Sequence, residues 1–293
     1  MRIAVTGASG FIGGHLIPHL EAAGHQAVPL RRDTAGSFAP SDAKLAPTTT
    51  DLADHMRGVD AVIHLAVRQQ DSPDTPLADY LPSNVALTEH LLQAVVAANV
   101  SRFVLASSRL VYPSWINVPA TEDCPHPPDT FYGLSKRIGE LLVAAYSARH
   151  GIRGSALRVA QVFGPGDKGR GVLPRFIETA RKGHGLVIAG QGVAVRDFVY
   201  VQDVVRAFRL AVESTGSPPV INIGGGRGYS INELATAVAD AAGMDLSSIV
   251  HLPVAEEDTS HYSLDCDLAR VALDWSPAQS LQDVVAQRLA APY

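Results

Sequence analysis

A strand-like run, Arg2-Ile3-Ala4-Val5-Thr6, leads directly into Gly7-Ala8-Ser9-Gly10-Phe11-Ile12-Gly13, a G-x-x-G-x-x-G spacing that opens a helical pattern. Glycines at these places permit a tight turn and let backbone N–H groups approach a pyrophosphate at the positive end of a helix. The reading of Gly7, Ser9, Gly10, Phe11, Ile12 and Gly13 is therefore a dinucleotide cradle. The next strand ends Val28-Pro29-Leu30-Arg31-Arg32. Two guanidinium groups there suit a ribose 2′-phosphate, so Arg31 and Arg32 favour NADP(H). Asp33, serving a 2′-hydroxyl, keeps NAD(H) possible.

Apolar runs then alternate with helical patterns, as in a parallel sheet wound with crossover helices. Strands are expected at Arg2–Thr6, Gln26–Arg31, Ala61–Leu65, Arg102–Ser107 and Ser155–Ala160, and helices near Phe11–Ala23, Ser83–Asn99 and Phe131–His150. Pro18 should kink the first helix or weaken it. The proline-rich Trp115–Thr130 and the glycine-rich Gly164–Gly171 read as breaks. Later expectations are a helix from about Leu173, a strand–helix pair across Arg196–Val212, a strand at Val220–Ile223, and a helix capped by Ser230 and Glu233. The fold class is α/β: a doubly wound parallel (Rossmann) sheet with a smaller C-terminal α/β substrate domain. Residues 1–165 form the first domain, with a return excursion near 198–224, and residues 166–293 the second.

Hydrophobic residues make up 46% of the 293 and charged residues 18%, which excludes a solvated disordered chain. A formal net charge of −5 supplies no basic field for nucleic acid or anionic lipid. Cys124 and Cys266 stand alone and far apart, against a disulfide scaffold or a cysteine-rich zinc site. With neither a leader-like start nor an apolar run long enough to cross a membrane, a cytoplasmic setting is expected.

Tyr132-Gly-Leu-Ser-Lys136 places a phenol and an ammonium at i and i+4 on one helix face. A free tyrosine titrates near 10, so a phenolate at neutral pH needs a nearby cation, which Lys136 or an oxidised nicotinamide would provide. Ser107-Ser108 ends the fourth strand, at the edge of an open α/β sheet where ligands bind. A hydroxyl at Ser108 there would hold the reacting oxygen.

Thr6–Gly13, Asp51-Leu52, His64-Leu65-Ala66, Ser107-Ser108 with Val111-Tyr112, Tyr132–Lys136 and Arg196–Val201 together resemble the extended short-chain dehydrogenase/reductases. The nearest branch is the NAD(P)-dependent epimerase/dehydratase family, typified by UDP-galactose 4-epimerase. The resemblance runs over essentially the whole chain. It implies a catalytic triad of Ser108, Tyr132 and Lys136, with Tyr132 and Lys136 also touching the cofactor. It implies adenine contacts at Asp51 and Leu52, cofactor contacts at Leu65 and Ala66, and a nucleotide-diphosphate sugar held by Ser108, Arg109, Gln161 and Arg196. A homodimer built on the Ser83–Asn99 and Phe131–His150 helices is implied as well. The sequence departs from the family pattern at four places. Arg31 replaces an aspartate, Gln161 a sugar-contacting asparagine, Arg109 a small residue, and Tyr200 a frequent histidine.

Other groups invite blander readings. His15 and His19 have metal-compatible spacing without a third ligand, and no metal is expected. His64 reads as structural support, Asp203 with Arg206 as a surface pair, and Gly224–Gly226 as a domain-crossing turn. The leading expectation is NADPH-dependent reduction of a nucleotide-linked keto-sugar, with Tyr132 donating the proton. An NAD-dependent nucleotide-sugar 4-epimerase and a non-catalytic dinucleotide sensor are the alternatives. Arg109 and Leu110 stand where a dehydratase would want an acidic pair.

Overall fold

Branched and small apolar residues fill strands β1 (Arg2–Thr6), β2 (Gln26–Leu30), β3 (Ala61–His64), β4 (Arg102–Ser108) and β5 (Arg153–Val159). They alternate with α1 (Phe11–Ala22), α2 (Thr49–His55), α3 (Leu77–Tyr80), α4 (Leu87–Ala97) and α5 (Phe131–His150). The second half adds β6 (Gln161–Phe163), α6 (Val172–Arg181), β7 (Leu186–Ala189), β8 (Val195–Tyr200), α7 (Val201–Glu213) and β9 (Val220–Ile223). It ends with β10 (Gly228–Ser230), α8 (Ile231–Ala241), β11 (Ile249–Leu252), β12 (His261–Tyr262), α9 (Asp267–Leu273) and α10 (Leu281–Ala290). This computed structural model describes residues 1–30, 49–70, 72–116, 118–167 and 171–290.

All six strands of the main sheet are parallel, in the order β2-β1-β3-β4-β5-β9. Both faces are covered, as continuous apolar strands require. Leu16 and Leu20 of α1 and Val204 and Phe208 of α7 form one core; Leu91, Leu92 and Val95 of α4 pack on the other face with Phe103 and Leu105. A separate core gathers Leu173, Ile177, Leu234, Val238 and Val285 against Phe198 of β8. There β8 pairs with β10, β12 and β6, while β11 pairs with β7. The chain is thus α/β with a mostly parallel central sheet and flanking helices.

Two local expectations change. Helix α1 runs unbroken across Pro18, because Pro18 and Gly14 both lie on the exposed side and the carbonyl deprived of its N–H faces solvent. The helix expected from Ser83 begins at Leu77 and passes through a π turn, Leu81–Ala86, that carries Pro82 at its start. Ser230 and Glu233 form the capping box that their spacing predicts.

Candidate active site

Gly7 has a left-handed backbone (φ 70°) and lies against the crossing chain, where a Cβ would stand 2.8 Å from the Ala66 nitrogen. A Cβ on Gly13 would collide with the Gly7 carbonyl and come within 2.6 Å of the Ala8 Cα. Helix α1 starts after Gly10 with no side chain capping it, so its first-turn N–H groups are free of competing side-chain oxygens. Ser9 and Gly10 are exposed at this turn, Phe11 and Ile12 half-buried. The cradle fits a dinucleotide pyrophosphate. Leu65 and Ala66 form its wall. Leu52 is buried in the α4-side core, which leaves only its backbone for a cofactor. Asp51 lies in α2, with its side chain outside the described residues, as are Arg31 and Arg32.

A directed chain of hydrogen bonds runs from this cradle to α5. The Ala66 N–H donates to Thr6 Oγ1 (3.2 Å), which lies 2.6 Å from His64 Nδ1. His64 Nε2 lies 3.1 Å from Thr88 Oγ1, and that hydroxyl donates to the Asn84 carbonyl (2.8 Å). Thr88 therefore accepts, which assigns the proton to Nε2 and makes Nδ1 the acceptor of the Thr6 hydroxyl. His64 is neutral, its pKa pushed down to about 3 by burial and by the Lys136 charge. Within the π turn, Asn84 Nδ2 donates to Ser135 Oγ (3.0 Å), whose hydroxyl donates to the Tyr132 carbonyl (2.7 Å).

Thr130 caps α5 by accepting from the Gly133 N–H at 3.0 Å. Gly133 lets the first turn press onto the chain leaving β4, since a side chain there would strike the Leu110 carbonyl. That approach brings the Tyr132 phenol close to the Ser108 hydroxyl, which accepts from the Leu110 N–H at 3.2 Å. Burial pushes the Tyr132 phenol up to about 12, opposed by the Ser108 hydroxyl and then the Arg109 charge. Besides Lys136 or an oxidised nicotinamide, the cations expected near the phenol, the Arg109 charge acts on it. Lys136 is buried and its ammonium pushed down to about 8 by desolvation, with Glu140 acting against this. Tyr80 packs edge-on to Tyr132 at 5.7 Å between centroids.

Arg109 and Arg196 both stack on the Tyr262 ring, at 4.8 and 5.5 Å. Arg109 also reaches Gln161 Oε1 at 3.5 Å, so Arg109, Gln161 and Arg196 are linked through this contact and the Tyr262 ring. Arg196 is already paired within the chain: Asp258 accepts from it at 2.7 Å, and the Val195 and Ser260 carbonyls accept as well.

Behind the site lies a buried network with no counterpart in the sequence reading. Glu140 accepts from Ser107 Oγ (2.6 Å), from Arg158 Nε and Nη2 (2.9 and 2.8 Å) and from Arg137 (2.6 Å). Arg158 also donates to Tyr112, and Tyr112 to Asn222, each at 2.7 Å. These four donors hold the Glu140 carboxyl below the usual carboxylate range despite burial. The available signal was spacing: Tyr132, Lys136 and Glu140 recur every four residues on one face of α5.

Other discounted groups fall in place. His15 lies 2.8 Å from the Pro165 carbonyl, His19 lies beside Arg209, and no metal-holding cluster occurs among the described residues. Asp203 is buried rather than a surface residue: it bonds Arg206 and the Ala278 N–H, while its carbonyl accepts from Trp275. In the Gly224–Gly226 turn, the Gly225 N–H donates to the buried Asp197 (2.6 Å), tying the end of β9 to β8. The described helices include none long and apolar enough to cross a membrane.

The sequence model of the NAD dependent epimerase/dehydratase family matches residues 3–224. A dTDP-glucose 4,6-dehydratase from Streptomyces griseus is 32% identical, covering 99% of this chain and 93% of its own. A UDP-glucose 4-epimerase from Mycolicibacterium smegmatis is 33% identical, covering 98% and 97%. Among solved structures, a Bacillus cereus UDP-glucuronic acid 4-epimerase bound to UDP-glucuronic acid and NAD superposes with a TM-score of 0.83 at 26% identity, covering 99% of this chain and 98% of its own. With the family sequence matching across the main sheet and these likenesses spanning both chains, the protein is a member of the NAD-dependent epimerase/dehydratase family, an enzyme class of the extended short-chain dehydrogenases acting on nucleotide sugars.

Proposed function

We propose that the protein is an NAD(P)-dependent nucleotide-sugar 4-epimerase. The observation that carries this reading is the Ser108–Tyr132 hydroxyl pair beside buried Lys136, with a guanidinium rather than a carboxylate acting on the phenol. Eliminating water from the sugar needs an acid and a base besides Tyr132. Arg109 and Leu110 occupy the places where these would stand, so the dehydratase chemistry of some relatives is disfavoured.

Tyr132 takes the proton from the sugar hydroxyl as the carbon is oxidised and returns it on reduction. Ser108 holds that oxygen, and Lys136 offers a positive charge one helical turn away. Gly7 to Gly13 hold the pyrophosphate of the cofactor, whose nicotinamide supplies hydride chemistry when bound. Residues 1–165 carry these groups, and residues 166–293, with Arg196, receive the nucleotide sugar together with Gln161 from the first domain. Two copies associate through α4 and α5, with an exposed ridge on α5 that includes Leu141. We place this chemistry in the cytoplasm, without nucleic-acid partners.

Reduction of a keto-sugar with NADPH rests on Arg31 and Arg32 recognising a 2′-phosphate. The relatives' bound NAD supports the pyridine nucleotide without that preference. Identifying the cofactor retained on purification separates the two chemistries. Tightly held NAD and interconversion of C4 epimers, lost by ~10²-fold or more in Tyr132→Phe, support the proposal. Exchangeable NADPH with net consumption of reductant would replace it with the reductase.

A further inference from the structure

Arg109 is a cation without an anion. Among the described residues no carboxylate forms an ion pair with it, whereas Arg196 has Asp258. Its Nε is enclosed and has no hydrogen-bond partner. Its contacts are the long bond to Gln161 and the face of Tyr262. Asp197 is the carboxylate whose field reaches it, but both Asp197 oxygens are committed, to the Gly225 and Leu264 N–H groups. Arg196 adds repulsion from the other guanidinium on the same ring. A half-buried charge with an unpartnered Nε left in this way is best completed by an anionic ligand.

Position identifies the missing group. Arg109 follows Ser108 directly, and its charge acts on the Tyr132 phenol, where the reacting sugar oxygen must lie. The anion is therefore a substituent of the ring near the reacting carbon. In a hexuronate the C6 carboxylate is attached to C5, next to C4, and presents two oxygens to a guanidinium fork. A neutral sugar would offer only hydroxyls and leave the charge uncompensated.

We propose that Arg109 is a specificity residue that selects a nucleotide-linked sugar acid, binding the ring carboxylate, over the corresponding neutral sugar. The proposal rests on the nucleotide-sugar reading above. A diphosphate oxygen is the competing anion, and the experiment separates the two. The purified protein, with the cofactor it retains, is titrated calorimetrically with UDP, dTDP, UDP-glucose and UDP-glucuronic acid. If the thymine nucleotide is the one bound, the sugars are offered as dTDP derivatives.

Expected is a preference of about tenfold or more for the sugar acid, the scale of one charge-assisted contact. Arg109→Gln should abolish that preference with nucleotide affinity unchanged, and Arg109→Lys should restore part of it. Cofactor content and the unfolding midpoint serve as folding controls. Equal affinity of the unmodified protein for acid and neutral sugars would overturn the proposal. So would an Arg109→Gln variant that weakens the bare nucleotide as much as the sugar acid. Failure of both nucleotides to bind would remove the nucleotide-sugar reading, and this proposal with it.

Discussion

Replacing Glu140 with glutamine changes two atoms' chemistry and almost no volume. The carboxylate takes donors on both oxygens: Ser107 and Arg158 Nε on one, Arg158 Nη2 and Arg137 on the other. An amide turned either way points its NH₂ at one of these donor sets. The Arg158–Glu140 pair is 3% and 1% exposed, so the stranded guanidinium cannot recover its loss from water. Breaking such a pair from one side costs about 3–5 kcal/mol. An unfolding entropy of about 2.1 cal/mol/K per residue, over 293 residues, gives about 0.6 kcal/mol/K, so the melt should fall by about 5–8 °C. Thermal and urea unfolding at pH 7 measure it.

The sign with pH is fixed. The folded carboxyl is held below its unfolded value, so its contribution is complete above the ordinary 4.5 and is lost as pH falls through the depressed value. The gap between Glu140→Gln and the unmodified protein should therefore close in acid. Adding Arg158→Met removes the stranded charge and should restore stability relative to Glu140→Gln alone. A shift under 1 °C, or a double variant less stable than Glu140→Gln, would refute the reasoning.

Gly133→Ala must push α5 away from the Leu110 carbonyl; kcat should fall at least ~10-fold, the sensitivity expected of a displaced proton donor, with a smaller change in KM. Steady-state kinetics on the identified substrate check this. His64 is neutral when folded, with its pKa at about 3 against 6.5 unfolded. Its contribution to stability is thus whole above 6.5 and declines by about 1.4 kcal/mol per unit of pH below that. Denaturant titrations between pH 7 and 5.5 should show a shallower slope in His64→Gln than in the unmodified protein. Leu141, 57% exposed on α5, should be covered in the dimer, so Leu141→Asp should sediment as a monomer at micromolar concentration with its cofactor still bound.

Local signals were legible. The strand, glycine turn and helix from Arg2 to Ala22 announce themselves, because the motif and its apolar strand are contiguous. Ser230 and Glu233 are three residues apart and wrote their own helix start. Tyr132 and Lys136 likewise share one helix face. Hidden were features made by distant segments. Asp203 looked like a helix-surface acid because its partners at Trp275 and Ala278 arrive from the C-terminal end. Glu140 acquires its role only when β5 brings Arg158 against it. In the second sheet β6, β10 and β12 are only two or three residues long, too short to display an alternation. Arg196 needed Asp258, on another segment, before its charge could be accounted for.

The hydrogen bonds from Ala66 through Thr6, His64, Thr88, Asn84 and Ser135 to the Tyr132 carbonyl all point one way. From Ala66 to Asn84 the sense is fixed, because a backbone N–H holds one end and a carbonyl the other; the Asn84 amide then carries the chain on to Ser135. The chain acts as a gauge between the wall of the cofactor cradle and the backbone of the proton-transfer residue. A fault at Thr6, in the first strand, would be read as a misplacement of Tyr132 on the far side of α4. The distance between the glycine cradle and Tyr132, the residue proposed to pass the proton, is thus set by side chains that need touch neither ligand.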